Sequence, residues 1–268
     1  MKKLKRALKA FGLILQKPWL LNKILDDDSI WFDYMQKSHQ LKSLPVISID
    51  TLFPNFNVTL NNFAFLDGGS LPTDLAILKL LASGFDECSY FEIGTWRGES
   101  VVNVADNAKE CYTLNLSKQE LLKLGLDEKY ADLHGFFSKN KKNITHLIGN
   151  SMTYDFASLN KKFDLIFIDG NHHYDFVKND TAKVFEHLIH ENSVIVWHDY
   201  AYAPEKLRPE VMSAILDGTP QIFRKNLYQV SNSMCAIFTR KSFKTEVFSP
   251  LSKPALKFEV QMEVKKID

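Results

Sequence analysis

Apolar residues recur along this chain with two periods, and the changes of period divide it into three stretches. Leu4, Leu8, Phe11 and Leu15 keep helical spacing with lysines between them, which predicts a short amphipathic helix ending before Pro18. Asp26-Asp27-Asp28-Ser29 is a helix-start signal, followed by Ile30, Trp31, Tyr34 and Met35. Residues 45–66, rich in Asn and Pro with scattered Phe, predict an extended connection. From residue 67 short apolar runs alternate with helical segments. Strands are expected at 89–93, 111–116, 144–148, 163–168 and 193–197, and helices from Pro72 and over 99–108, 117–137 and 174–190. Such alternation predicts an α/β fold, a mostly parallel sheet covered by helices on both faces. Runs such as Leu165–Ile168 and Val194–Trp197 are apolar throughout, as strands buried on both faces must be.

After residue 200 the rhythm breaks. Arg208 to Leu216 suits a helix, and Leu227–Val230 with Met234–Thr239 forms a hairpin around Ser231-Asn232-Ser233, an antiparallel edge on the sheet. Phe258, Val260, Met262 and Val264 alternate over 257–265, the pattern of a half-buried strand, pairing within the domain or across a homo-oligomer interface. The expected organisation is an N-terminal helical extension over 1–60, a catalytic domain over 61–245 and a C-terminal strand or tail over 246–268.

Composition changes the picture in two places. The net charge is +1 overall, so the chain lacks the basic excess of a nucleic-acid binder. Residues 1–17, however, carry six basic side chains and no acid, which leaves the remainder net acidic. Two readings fit that terminus: peripheral contact with a membrane or partner, or a helix packed on its own domain with a solvated basic side. Cys88, Cys111 and Cys235 form no CxxC pair, and an odd count argues against a disulfide framework. A reducing, cytoplasmic setting is expected.

The chemistry gathers at strand ends. The first βα turn reads Phe91-Glu92-Ile93-Gly94-Thr95-Trp96-Arg97-Gly98-Glu99-Ser100. Its two glycines let the backbone approach a ligand outside the carboxyl end of a strand, and the following helix start offers free N–H groups. The dinucleotide fingerprint G-x-G-x-x-G fails in every register that includes Gly94, and no Gly-Lys-Ser/Thr follows for a phosphate loop. An acid at the strand end suits a cationic ligand better than a phosphate. Asp169 and Asp199 each follow a strand taken to neighbour the first in the sheet. Two carboxylates converging beside a cleft suit a divalent cation, and His198 before Asp199 shifts the preference from magnesium toward first-row metals. His172, three residues beyond Asp169, has the residue type that accepts a hydroxyl proton near neutral pH.

The turn Phe91–Val102 resembles motif I of the class I S-adenosylmethionine-dependent methyltransferases. Ile168-Asp169-Gly170-Asn171-His172-His173-Tyr174 and His198-Asp199-Tyr200 are similar to the I-D-G-x-H-x-Y and H-D-Y motifs of a branch that includes small O-methyltransferases of sugars and natural products. The likeness covers roughly residues 67–240. It implies a Rossmann-like, three-layer sheet of seven strands, the last antiparallel, binding S-adenosylmethionine and methylating a glycan or small-molecule hydroxyl. It further implies that Glu92, Gly94, Thr95 and Gly98 hold the methionine end, Asn115 the ribose, and Asn150 and Ser151 the adenine region. Asp169 would serve cofactor and acceptor, Asp169, Asp199 and His198 would be the metal ligands, and His172 the base. The chain departs from the family with Asn115 where an acid is usual, an amide without the charge that strengthens a bond to ribose. An oxidoreductase on a related sheet and a non-catalytic adaptor binding through the basic terminus are the competing readings.

Overall fold

The computed structural model describes residues 2–21 and 28–267. Helix α1 (Lys2–Gln16) leads through a 3-10 turn (Pro18–Leu21) toward α2 (Asp28–Ser38). Asp26 and Asp27 of the expected helix start lie outside the described residues. Then come β1 (Val46–Ile47), α3 (Ile49–Leu52), α4 (Pro72–Ser83), β2 (Cys88–Ile93), α5 (Glu99–Ala105) and β3 (Ala108–Asn115). Two short helices, α6 (Lys118–Lys123) and α7 (Glu128–Asp132), occupy the expected helical stretch before β4 (Ile144–Ile148). The second half holds β5 (Phe163–Ile168), α8 (Tyr174–Lys183), β6 (Ile189–Trp197), a small hairpin β7 (Ala201–Ala203) and β8 (Lys206–Leu207), α9 (Pro209–Gly218), β9 (Leu227–Val230) and β10 (Ala236–Phe238).

The main sheet runs β4-β3-β2-β5-β6-β10-β9-β1. Strand order reverses between β2 and β5, the switch point where open α/β sheets bind ligands. Alternation along β2 shows why the sheet sits between two helical layers. Phe91 and Ile93 belong to the core under α8 and α9, with Ile166, Ile195 and Trp197. Tyr90 packs on the other face with Val101, Val104, Leu165 and Phe167, under α4 and α5. Large apolar side chains buried on both faces drive this layering.

Four expectations need correction. The sheet has eight strands, not seven, because Val46 and Ile47 pair in parallel with β9. The expected extended connection over 45–66 in fact holds the short helix α3, and its apolar dipeptide finds the open edge of β9 and covers it. The antiparallel strand β10 is therefore interior: it pairs antiparallel with both β6 and β9, and β1 is the edge. The expected strand over 257–265 forms no ladder. Val260, Met262 and Val264 stay exposed, and Phe258 packs edge-on against the Phe56 ring at 5.8 Å. Alternation encodes a two-sided segment, not a partner to hydrogen-bond it.

The span 1–60 is not a separate extension throughout. Met35, Ile47 and Ile49 are fully buried in the two cores. Trp31 stacks on Tyr174 at 4.9 Å, and the Tyr34 hydroxyl donates to Asp217 at 2.7 Å, so α2 is docked against α8 and α9. No helix among the described residues is long and apolar enough to cross a membrane. All three cysteines are free and buried.

Candidate functional site

Register aligns the strand ends. Leu147, Leu114, Ile93, Ile168 and Trp197 stand side by side across β4, β3, β2, β5 and β6. The next residue of each strand, Ile148, Asn115, Gly94, Asp169 and His198, therefore forms a row along one rim. Backbone bonds stitch it: Gly94 N donates to Leu114 O at 2.9 Å, Asp169 N to Ile93 O at 2.9 Å, and His198 N to Ile168 O at 3.1 Å. The loops bearing residues 92–98, 169–172 and 198–199 thus share one edge.

Gly94 is required by two constraints at once. Its φ is +98°, and a Cβ there would collide with the Asp169 carbonyl oxygen and lie 2.6 Å from its carbon and 2.9 Å from Gly170 N. The turn closes by bringing two backbones into contact, which only glycine permits. Gly98 (φ +81°) is restricted the same way, by the Ser138 side chain. Between them Trp96 takes a left-handed φ of 42°, a costly conformation for a bulky residue. It is held there by Gly135 N donating to its carbonyl at 2.6 Å and by contact with the Tyr130 ring at 4.4 Å.

Glu92 does not reach the rim. It is fully buried, accepting from Tyr90 OH and Ser100 Oγ at 2.8 Å each and from Thr113 Oγ1 at 2.7 Å. Thr113 in turn shares a 2.5 Å hydrogen bond with Thr95, so a hydroxyl chain links the buried acid to the glycine loop. Burial pushes the Glu92 carboxyl up to about 8, against the three hydroxyl bonds that favour its charge. The structure thus places Glu92, expected to contact a ligand, beneath the glycine loop.

The acidic loops hold a tight cluster. His172 Nδ1 lies 2.9 Å from Asp199 Oδ2, with the histidine side chain 45% exposed. His198 Nδ1 lies 3.2 Å from Asp169 Oδ1 and 3.1 Å from Asp199 Oδ2, and its Nε2 lies 3.1 Å from Asp74 Oδ2. Carboxyl oxygens face both nitrogens of His198, an arrangement that favours the imidazolium. Burial opposes that charge, but Asp169, Asp199 and Asp74 outweigh it and raise the pKa well above the ordinary value. For Asp199, burial is likewise outweighed, here by the bonds from His172 and His198, and the carboxyl is held well below its usual range. For Asp169 burial wins over His198, and the carboxyl is lifted. Asp199 itself adopts a left-handed φ of 53°, and Arg208 approaches its Oδ1 at 3.8 Å.

Ligand atoms of Asp169, His172 and Asp199 lie within 4.8 Å of one another. The convergent imidazole is His172 rather than the expected His198, both of whose ring nitrogens face carboxylates. Asn115 lies at the rim with its Nδ2 donating to Leu116 O at 3.1 Å. The Asn150 side chain accepts from Met152 N at 3.0 Å, and Ser151 O accepts from Asn179 and Lys183, tying that loop to α8.

Sequence reasoning missed two features. Asp74, in the first turn of the helix expected from Pro72, is the first. Its Oδ2 accepts from Leu71 N at 2.8 Å and from His198, and its Oδ1 from Met234 N at 2.9 Å. An acid at the third helical position is an ordinary helix-start feature, so no local signal separates this second task. The Arg97–Glu99 pair is buried, and it clasps the segment before α4: Arg97 Nη1 donates to Asp67 O at 2.8 Å, and Ala64 N to Glu99 Oε1 at 2.7 Å.

Residues 91–200 match the family described as "Methyltransferase domain". An uncharacterized protein of Acanthamoeba polyphaga mimivirus is 29% identical over 147 residues, which cover 52% of this chain and 63% of that protein. The chain thus spans less than two thirds of that relative. Among solved structures, an SAH-bound methyltransferase of Podospora anserina is 17% identical, with 78% of this chain and 93% of that one covered and a TM-score of 0.47. A SAM-bound amino pentose methyltransferase of Micromonospora echinaspora is 16% identical, with 55% and 61% covered and a TM-score of 0.37. The segment matched by that family, from Phe91 to Tyr200, carries the glycine loop and both acidic loops.

Proposed function

We propose that the chain transfers the methyl group of S-adenosylmethionine to a hydroxyl oxygen of a sugar, glycan or small-molecule acceptor. The observation that carries this reading is the 2.9 Å pairing of His172 Nδ1 with Asp199, beside a glycine loop with no room for a side chain. With Nδ1 bound to a carboxylate, Nε2 is the nitrogen left to take a proton. The acceptor O–H gives its proton to that Nε2 as the oxygen attacks the methyl carbon. The carbon–sulfur bond breaks, its electron pair stays on sulfur, and a neutral thioether leaves. Catalysis then rests mainly on alignment, because a sulfonium is already a good leaving group.

In this reading Gly94, Thr95 and Gly98 hold the methionine end by backbone, with Glu92 bracing the loop through Thr113 and Thr95. Asn115 takes the ribose, and Asn150 and Ser151 lie by the adenine. Asp169 and Asp199 accept hydrogen bonds from acceptor hydroxyls, which suits a polyol. Asp74, Asp169 and Asp199 against His198 and Arg208 leave the cluster one negative charge in excess, favourable to a sulfonium. The donors present do not suit magnesium, which takes oxygen ligands in near-octahedral geometry. Asp199 Oδ2 already serves two imidazoles and Asp169 Oδ1 one.

The test compares the intact protein with His172→Ala. S-adenosylhomocysteine should bind both, within about threefold by calorimetry, while transfer of labelled methyl to a panel of glycans and phenols should fall by ~10²–10⁴-fold in the variant. Absence of both ligand binding and transfer in the intact protein would overturn the reading. Transfer unchanged by His172→Ala would overturn the assignment of the base.

A further inference from the structure

The fold leaves the apolar face of α1 uncovered. Leu4, Leu8, Phe11 and Leu15 are 67%, 65%, 61% and 68% exposed. At 3.6 residues per turn these four fall on one narrow stripe, extending ~16 Å along the helix axis. Lys3, Lys5, Arg6 and Lys9 occupy the other sides, and the helix contains no acid. A helix packed on its own domain would bury this stripe, as α2 buries Met35. Of the two readings left open by the sequence, packing on the domain is therefore corrected. Nor can α1 span a bilayer, because it has only 15 residues and several are charged.

We propose that α1 is an interfacial anchor that lays its leucine–phenylalanine stripe into an anionic lipid surface. An apolar stripe between basic flanks is the arrangement that interfacial helices use: the apolar side chains enter the acyl boundary, and the lysine stems reach back to the headgroups. Charge selects this occupant over a second copy of the chain. Pairing two α1 stripes would bring two sets of basic side chains together, whereas anionic headgroups neutralise them. The rest of the chain is net acidic, so an anionic surface attracts this helix and repels the body, which fixes the orientation of approach. This inference is independent of the methyl-transfer reading and stands or falls without it.

Co-sedimentation of the full chain with vesicles tests it, using phosphatidylcholine alone and an equal mixture with phosphatidylglycerol. The chain should bind the mixed vesicles and release as salt rises. The double variant Leu8→Glu/Phe11→Glu should lose at least roughly tenfold in partitioning. Both positions are exposed, so its melting temperature should match that of the intact chain, which keeps loss of binding separate from loss of fold. Equal binding to neutral and mixed vesicles, or equal binding by the variant, would refute the anchor. Failure to bind either vesicle, with a dimer in solution that the variant dissociates, would assign the stripe to a second copy and likewise refute it.

Discussion

Gly94→Ala offers the sharpest test of the geometry at the switch point. The substitution carries two costs that can be separated. The first is a left-handed φ of +98°, ~1–2 kcal/mol for a residue with a Cβ. The second is overlap with the Asp169–Gly170 backbone, 2.6 Å from one atom and 2.9 Å from the next, which cannot rotate aside as a side chain would. Forced overpacking of this kind costs ~1–3 kcal/mol. Gly125 supplies the control, because its φ is +83° and nothing lies within 4 Å of its hypothetical Cβ. Gly125→Ala should therefore show the first cost alone. At ~2–4 °C per kcal/mol for a chain of this class, Gly94→Ala should melt roughly 2–12 °C below Gly125→Ala. The overlap also pushes apart the loops that Asp169 N and Ile93 O join at 2.9 Å. S-adenosylhomocysteine should accordingly bind at least ~10-fold more weakly to Gly94→Ala than to the control, about 1.4 kcal/mol. Thermal unfolding by circular dichroism and calorimetric titration measure both. If the two variants melt together and bind alike, the close contact between the glycine loop and the Asp169 loop is wrong, and the shared rim goes with it.

Other expectations concern the buried charges. Glu92, lifted by burial to about 8 from an ordinary 4.5, binds a proton more tightly folded than unfolded. Its contribution to stability is full below the ordinary value and is lost as pH rises toward 8, by at most roughly 5 kcal/mol. Denaturant titrations of the intact chain should therefore show stability falling over that window, and Glu92→Gln should flatten the slope; an unchanged slope would count against a protonated Glu92. Asp74→Asn leaves His198 without its 3.1 Å buried partner, and chemical denaturation should report a loss of ~3–5 kcal/mol. A loss within 1 kcal/mol, on the order of an ordinary surface change, would mean that Asp74 carries no such pairing. Addition of a chelator should change methyl transfer less than about twofold, since His172 and His198 already occupy the carboxylate oxygens. Abolition by chelator with rescue by a first-row divalent ion would make His172 a ligand instead of a base.

Much of this molecule is legible residue by residue. The central strands β5 and β6 are visible because a strand buried on both faces must be apolar throughout, and that demand is met locally, as in Leu165–Ile168 and Val194–Trp197. The glycine turn is visible because a backbone at positive φ leaves few alternatives to glycine. Asp169, His172 and Asp199 could be nominated because each follows a readable strand, and adjacent parallel strands end on the same rim.

What the chain could not reveal locally was partnership. Asp74 and His198 lie 124 residues apart, and their 3.1 Å contact exists only because the fold brings the start of α4 to the rim just past β6. The same packing closes both ring nitrogens of His198 to a metal and leaves His172 to converge with the acids. Hydrophobic period likewise fixes a segment's sidedness but not what covers it. Val46–Ile47 finds the edge of β9, the alternating segment 257–265 finds no ladder, and the stripe of α1 finds nothing in its own fold. Local sterics and burial decide which elements form; which of them meet is a property of the whole sheet, because hydrogen-bond and charge partners are supplied by segments distant in the chain.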